Sequence, residues 1–196
     1  RPMEPIYALQ DARECLTQAN SVAYDQEFSP HATVRCRFRD AGHILGSAII
    51  EVWVTEHGRA TKLVFSGDLG QPGRPILRDP TLIEETDILV VESTYGDRRH
   101  LDLAATEDEM IAIVEKTLYE RGGNVIMPAF AVGRTQQVIY LLHRLACEGR
   151  LRPPKVFVDS PMATEATRIT REHLELFDEE ARRLAGWQAQ GKDIPY

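Results

Sequence analysis

Two apolar runs in this chain each empty into an acidic residue. Thr61-Lys62-Leu63-Val64-Phe65 passes directly into Ser66-Gly67-Asp68, and Ile88-Leu89-Val90-Val91 passes into Glu92. Short apolar runs of this kind bounded by turn residues are buried strands, so both carboxylates are expected at the carboxyl ends of strands. Upstream, Asp40-Ala41-Gly42-His43-Ile44-Leu45-Gly46-Ser47 holds a single imidazole between two glycines, where the backbone can turn sharply and project the ring into a cleft. One His, one Asp and one Glu at successive strand-to-loop junctions offer the nitrogen and oxygen donors that metal hydrolases use.

The residues before about position 96 read mainly as antiparallel sheet. Thr33 to Arg39 alternates strictly, with Val34, Cys36 and Phe38 on one face and Arg35, Arg37 and Arg39 on the other, the pattern of a half-buried strand. Ser47–Thr55 and Thr61–Phe65 flank Glu56-His57-Gly58-Arg59, a hairpin in which Gly58 can supply a positive φ. A helix is expected from Pro5 to about Ala19, with Ala8, Ala12, Cys15 and Leu16 near helical spacing. After Gly96 the texture changes to helices alternating with short apolar strands. Thr106 with Glu109 has capping-box spacing, and Met110, Ile113, Val114, Thr117 and Leu118 form one stripe that ends at Gly122-Gly123. A strand over 124–130, a helix from about Arg134 to Cys147, a strand over 155–159 and a Ser160-Pro161 helix start follow. This alternation predicts a parallel α/β sheet. The two portions are therefore set at 1–96 and 97–196, with no repeat or low-complexity linker between them.

Composition narrows the function classes. A net charge of −7 argues against general coating of nucleic acid, yet permits a carboxylate-rich metal site with a local basic groove. No run of about 18 apolar residues spans a membrane, and no secretory signal is legible. The three cysteines, Cys15, Cys36 and Cys147, have no Cys-x-x-Cys spacing and are expected as reduced, buried small hydrophobes in a cytoplasmic protein.

Five strings taken together resemble the metallo-β-lactamase superfamily, in its β-CASP branch of RNA nucleases. Gly42-His43 and Phe65-Ser-Gly-Asp-Leu-Gly70 are similar to two of the metal motifs. Glu92-Ser-Thr-Tyr-Gly-Asp97 is similar to the first β-CASP motif, Pro128-Ala-Phe-Ala-Val-Gly-Arg-Thr-Gln136 to the strand-to-helix turn that follows it, and Val158-Asp-Ser-Pro-Met-Ala163 to the next segment. The resemblance implies an α/β fold, part of a metallo-β-lactamase αββα sandwich followed by part of a β-CASP parallel α/β domain. It implies a ribonuclease acting on single-stranded RNA, with two Zn2+ ions, or Mn2+ in their place, activating the attacking water. His43 would be a metal ligand, Asp68 a carboxylate bridging both ions, and Glu92 a group that accepts a proton from a histidine ligand or helps a histidine act as acid.

The family's His-x-His-x-Asp-His cluster is missing, as are its late histidines. The six histidines include no His-x-His or His-x-x-x-His pair, whereas a two-metal site needs roughly six protein ligands. The expectation is an internal portion of a longer enzyme, with a sheet edge left open on the side of the preceding strands. Two copies of the chain are expected to associate through such an edge as a homodimer. A catalytically silent RNA-binding or scaffold subunit, and an ester or thiolester hydrolase on the same sandwich, stay open as alternatives.

Three further residues are candidates for RNA or phosphate binding. Arg134 opens a helix whose free amides, with the guanidinium, would attract phosphate oxygens. Ser160 would contact the RNA backbone from the end of a neighbouring parallel strand, or else only cap its helix. Arg98 would hold phosphate, or sit in a solvated turn. Arg35, Arg37 and Arg39 read as a solvated strand face rather than an RNA track.

Overall fold

The computed structural model describes residues 5–98 and 103–188. Helix α1 (Leu9–Thr17) precedes strands β1 (Glu27–His31), β2 (Val34–Asp40), β3 (Ala48–Glu56), β4 (Arg59–Phe65) and β5 (Ile88–Val90). Helices α2 (Leu103–Glu115), α3 (Arg134–Cys147), α4 (Pro161–Glu172) and α5 (Glu179–Gln188) follow, α2 running on into a π-helical turn at Lys116–Glu120. The architecture is mixed α/β, with one five-stranded sheet in the order β1-β2-β3-β4-β5.

β1 to β4 pair antiparallel and β4 pairs parallel with β5. The β3–β4 hairpin turns at His57-Gly58, both at positive φ (51° and 78°), as a two-residue turn with the twist of the strands requires. On β2 the predicted alternation holds. Cys36 and Phe38 pair across from Val52 and Ile50, while Arg37 lies opposite Glu51 and Arg35 opposite Trp53. The arginine face is neutralised at home. Arg35 pairs with Glu27 and stacks 4.3 Å over Trp53, Arg39 pairs with Asp25, and Arg37 and Lys62 both reach the buried Glu51 carboxylate at 2.7 Å.

The sheet edges differ from expectation. β1 carries Pro30 and a register irregularity between Phe28 and His31, devices that blunt an edge. β5 was expected to be buried, yet Ile88, Leu89 and Val90 are 49–55% exposed. β1 and β5 are thus both edge strands among the described residues, and β5 is the more apolar of the two. α1 is shorter than expected and exposed along its whole length, so its apolar spacing finds nothing to pack on. Of the cysteines only Cys36 is buried; Cys15 and Cys147 are exposed, and none of the three is in a disulfide.

The helical portion packs on Val114, Leu142, Leu145 and Leu151, joined by Met110, Ile111 and Leu118. Ile111 turns inward where Ile113 was expected; Ile113 is half exposed. Thr106 is not a helix start, because α2 is already under way at Leu103. The segments 124–130 and 155–159 join no strand ladder among the described residues. The predicted parallel pairing there is not formed, because a strand needs a neighbour for its amides and carbonyls, whereas each intervening helix satisfies its own. Ile126 and Phe157 are left 89% and 86% exposed.

The two portions touch. Ile76, Phe177 and Ala181 share a core with Leu77 and Tyr140, and Asp178 N–H donates to Ile76 O at 2.8 Å. No helix among the described residues is long and apolar enough to cross a membrane.

Candidate functional site

The loops bearing His43, Asp68 and Glu92 all leave the same end of the sheet. β2 ends where β3 begins, Asp40 opposite Ala48, and β4 ends beside them, Phe65 opposite Ile50. Parallel pairing of Phe65 with Val90 brings the exit of β5 to that same end. Clefts outside the carboxyl ends of strands are where open sheets place ligands.

Main chain sets the spacing of the first two loops. Gly70 N–H donates to Ala41 O at 2.8 Å, and a methyl group on Gly70 would lie 1.9 Å from Gly42 O. Gly42 itself, at φ 62°, has room for no side chain against Arg78 O and Pro80. Ser47 braces the His43 loop, its hydroxyl accepting the N–H groups of His43 and Ile44 at 3.1 and 3.2 Å. Asp40 accepts the Gly42 N–H at 2.9 Å. The outcome is that His43 Nε2 and Asp68 Oδ2 lie 4.0 Å apart, with both side chains open to solvent.

Glu92 is tied to the Asp68 loop. Its Oε1 accepts the Leu69 N–H at 2.7 Å, one residue beyond Asp68. The buried Ser66 hydroxyl accepts the Glu92 N–H at 3.0 Å and donates to Gly67 O at 2.7 Å. The Leu69 amide bond first, then bonds from Thr94 and the nearby His43, hold the Glu92 carboxyl below its ordinary range. A carboxylate so engaged stays ionised and keeps its loop in place.

His43 and Asp68 supply an imidazole nitrogen and a carboxylate oxygen, a donor pair suited to zinc. Two ligands at about 2.1 Å from a shared ion stand roughly 3.4 Å apart in a tetrahedron, so a small adjustment would let both reach one ion. The fit is that of a half site, since no group of three or more His, Cys, Asp or Glu side chains among the described residues could hold an ion. His31 sits at the end of β1, its Nδ1 3.0 Å from Thr33 Oγ1, and His100 lies outside the described residues.

The start of α3 reaches the same place. Gly133, at φ 84°, packs so closely on the His43 loop that a methyl group there would lie 2.6 Å from Ile44 Cγ2. Arg134, the next residue, is exposed beside that contact. The amides expected to be free for phosphate are engaged: Gly133 N–H by Gln136 Oε1, Arg134 N–H by Val132 O and Thr135 N–H by Phe130 O. The Arg134 guanidinium, exposed at this helix start, is the cationic group that an anion would meet there. Ser160 caps α4, its hydroxyl accepting the Ala163 N–H at 3.2 Å. It stands at a helix start rather than at the end of a paired strand. Arg98 pairs with Asp97 at 3.2 Å and lies over the Tyr95 ring, far more exposed than buried.

Sequence reasoning missed the braces Ser47, Ser66 and Gln136. Gln136 had a legible signal, standing three residues beyond a glycine N-cap as the acceptor of a capping box does.

The mixed α/β chain thus gathers His and carboxylate side chains at strand ends, beside a helix start carrying arginine. Known proteins narrow this further. A Beta-Casp domain model matches residues 135–195. "Ribonuclease TTHA0252" of Thermus thermophilus is 35% identical over 179 residues, covering 91% of this chain and 40% of the relative. "RNase J-like protein" of Methanocaldococcus jannaschii is 31% identical, covering 80% of this chain and 37% of the relative. "Transcription termination factor FttA" of Pyrococcus abyssi is 31% identical, covering 85% of this chain and 25% of the relative. The chain thus carries a Beta-Casp match and is similar to these three relatives over four fifths or more of its own length. It spans two fifths or less of the length of these three relatives.

Proposed function

We propose that this chain supplies one half of the active centre of a metal-dependent ribonuclease that hydrolyses phosphodiester bonds in single-stranded RNA, within the cytoplasm. The observation that carries this reading is the approach of His43 Nε2 to Asp68 Oδ2, 4.0 Å apart, on loops locked by backbone contact. The names of two relatives, a ribonuclease and an RNase J-like protein, support the substrate class. Residues 1–96 are read as metallo-β-lactamase-like and 97–196 as the β-CASP portion.

In this reading His43 and Asp68 would hold a divalent cation, Zn2+ or Mn2+, through an imidazole nitrogen and a carboxylate oxygen. Such ions, when bound, lower the pKa of a water towards about 7 and neutralise charge on the scissile phosphate. Glu92, kept ionised by the Leu69 amide, holds the Asp68 loop to the end of β5 and orients a neighbouring histidine. Arg134 contacts an RNA phosphate with its guanidinium, and Ser160 and Arg98 line the path of the strand.

The test is made in the full-length protein that carries this chain. His43→Ala and Asp68→Asn are expected to lower bound metal and to reduce cleavage of a labelled single-stranded RNA by at least about a hundredfold, with folding retained by circular dichroism. Wild-type metal content and rate in both variants would refute the assignment.

A further inference from the structure

We infer that Gln136 is a positioning residue, which aims Arg134 at RNA by clamping the starts of α3 and α4 to each other and to the His43 loop. The inference rests on the proposed RNA contact of Arg134 and extends it to a residue that touches no ligand.

Gln136 is 7% exposed, unusual for an uncharged amide that sits in the first turn of a helix. Every polar atom of its side chain is in use. Oε1 accepts the Gly133 N–H at 2.7 Å. Nε2 faces Ala131 O at 3.0 Å, Thr167 Oγ1 at 2.9 Å and Ala163 O at 3.4 Å. The first bond fixes Gly133 in its positive-φ conformation, the residue whose bare Cα abuts Ile44 beside His43. The Ala163 and Thr167 contacts fasten the first two turns of α4, which Ser160 caps, while the Ala131 contact ties the segment ahead of α3. Thr167 completes the clasp, its hydroxyl donating to Ala163 O at 2.7 Å.

Arg134 lies in the chain between Gly133 and Gln136, the two residues joined by the Oε1 bond. Its long side chain is exposed, so its direction depends on where the backbone at Gly133 and the first turn of α3 are held. A guanidinium contributes to phosphate binding in proportion to how little freedom it must lose. Capping alone would require only the Oε1 bond. The amide nitrogen is what ties α3 to α4, and it is the part that a carboxylate cannot replace.

The experiment uses the full-length protein and a fluorescein-labelled oligouridylate as probe, with affinity measured over a series of salt concentrations. Gln136→Glu retains the acceptor for Gly133 and sets a carboxylate against the carbonyls of Ala131 and Ala163. It is expected to weaken binding about tenfold and to lower the salt slope by about one. In the Arg134→Ala background the same change is expected to do nothing further. Thr167→Val, a gentler cut at the clasp, should move affinity in the same direction, and Thr167→Ser should leave it as in the wild type. If Gln136→Glu fails to fold, Thr167→Val against Thr167→Ser decides. Equal weakening with and without Arg134 would overturn the inference, as would unchanged affinity in a folded Gln136→Glu protein. If Arg134→Ala alone leaves RNA affinity and slope intact, the RNA contact itself is wrong, and the inference falls with it; metal content in His43→Ala still tests the metal centre separately.

Discussion

The sheet portion and the helical portion solve the problem of backbone polarity in opposite ways. From β1 to β4 each strand pairs with its successor, so Val64 and Ile49 are almost wholly buried in a ladder made by local hairpins. From α2 onward the helices satisfy themselves, a leucine core joins them, and the extended segments between them stay unpaired, with Ile126, Phe130 and Phe157 more than four-fifths exposed. In the sequence, strands and helices alternate most regularly after residue 96. The structure puts completed pairing before it. Antiparallel neighbours close through short turns, whereas parallel strands must wait for a crossover and a partner of their own. Regular alternation in a sequence therefore specifies where strands should lie without supplying what they pair with.

Amide hydrogen exchange gives the largest contrast. Amides of β3 and β4 should be protected at least about a thousandfold more than those of 124–130 and 155–159. Comparable protection in both sets would mean that the extended segments find partners in solution, and the contrast would break.

A smaller effect concerns how the sheet holds its one buried charge. Burial works to raise the pKa of Glu51, but hydrogen bonds from Arg37 and Lys62 outweigh it and leave the carboxyl below its ordinary range. Because the folded-state value is the lower one, Glu51 contributes stability above the unfolded carboxylate pKa, and that contribution is lost as pH falls through the lowered value. Glu51→Gln should cost about 2 kcal/mol at neutral pH in urea unfolding, and the acid loss of stability should be correspondingly smaller. A variant as stable as the wild type, with the same acid limb, would show that the arginine face needs no internal counter-charge.

The smallest effect on folding falls at the seam of the two portions. Leu89→Lys on β5 should change stability by no more than about 0.5 kcal/mol, while reducing concentration-dependent self-association measured by light scattering. Association unaffected by the lysine would move the sticky surface to the unpaired segments of the helical portion.

Much of the fold was legible where the physics is local. The His57-Gly58 turn, the two faces of β2, the full extent of α3 and the Ser160-Pro161 start of α4 each depend on a few adjacent residues, and each stands where sequence put it. The exposure of β5, of α1 and of Cys147 was not legible, because burial is decided by what lies across the space rather than along the chain. In the candidate site, sequence identified His43, Asp68 and Glu92 as separate strand-end residues. It did not show that Gly42 and Gly70 press two loops together, or that the amides ahead of Arg134 are already engaged by Gln136, Val132 and Phe130. Those facts arise from contacts between segments far apart in sequence.

The crossing of Gly42 and Gly70 carries a consequence for protein engineering. The gap between His43 and Asp68 is gauged where the bare Cα of Gly70 meets the Gly42 peptide group, so the scaffold's caliper is independent of the side chains mounted on it. Exchanging His43 for cysteine, or Asp68 for histidine, alters hardness and charge at the tips while the jaws keep their width. Enlarging Gly70 does the reverse, sparing both side chains and forcing the jaws apart. Side-chain chemistry and side-chain spacing are thus two separately adjustable settings of the same loop pair.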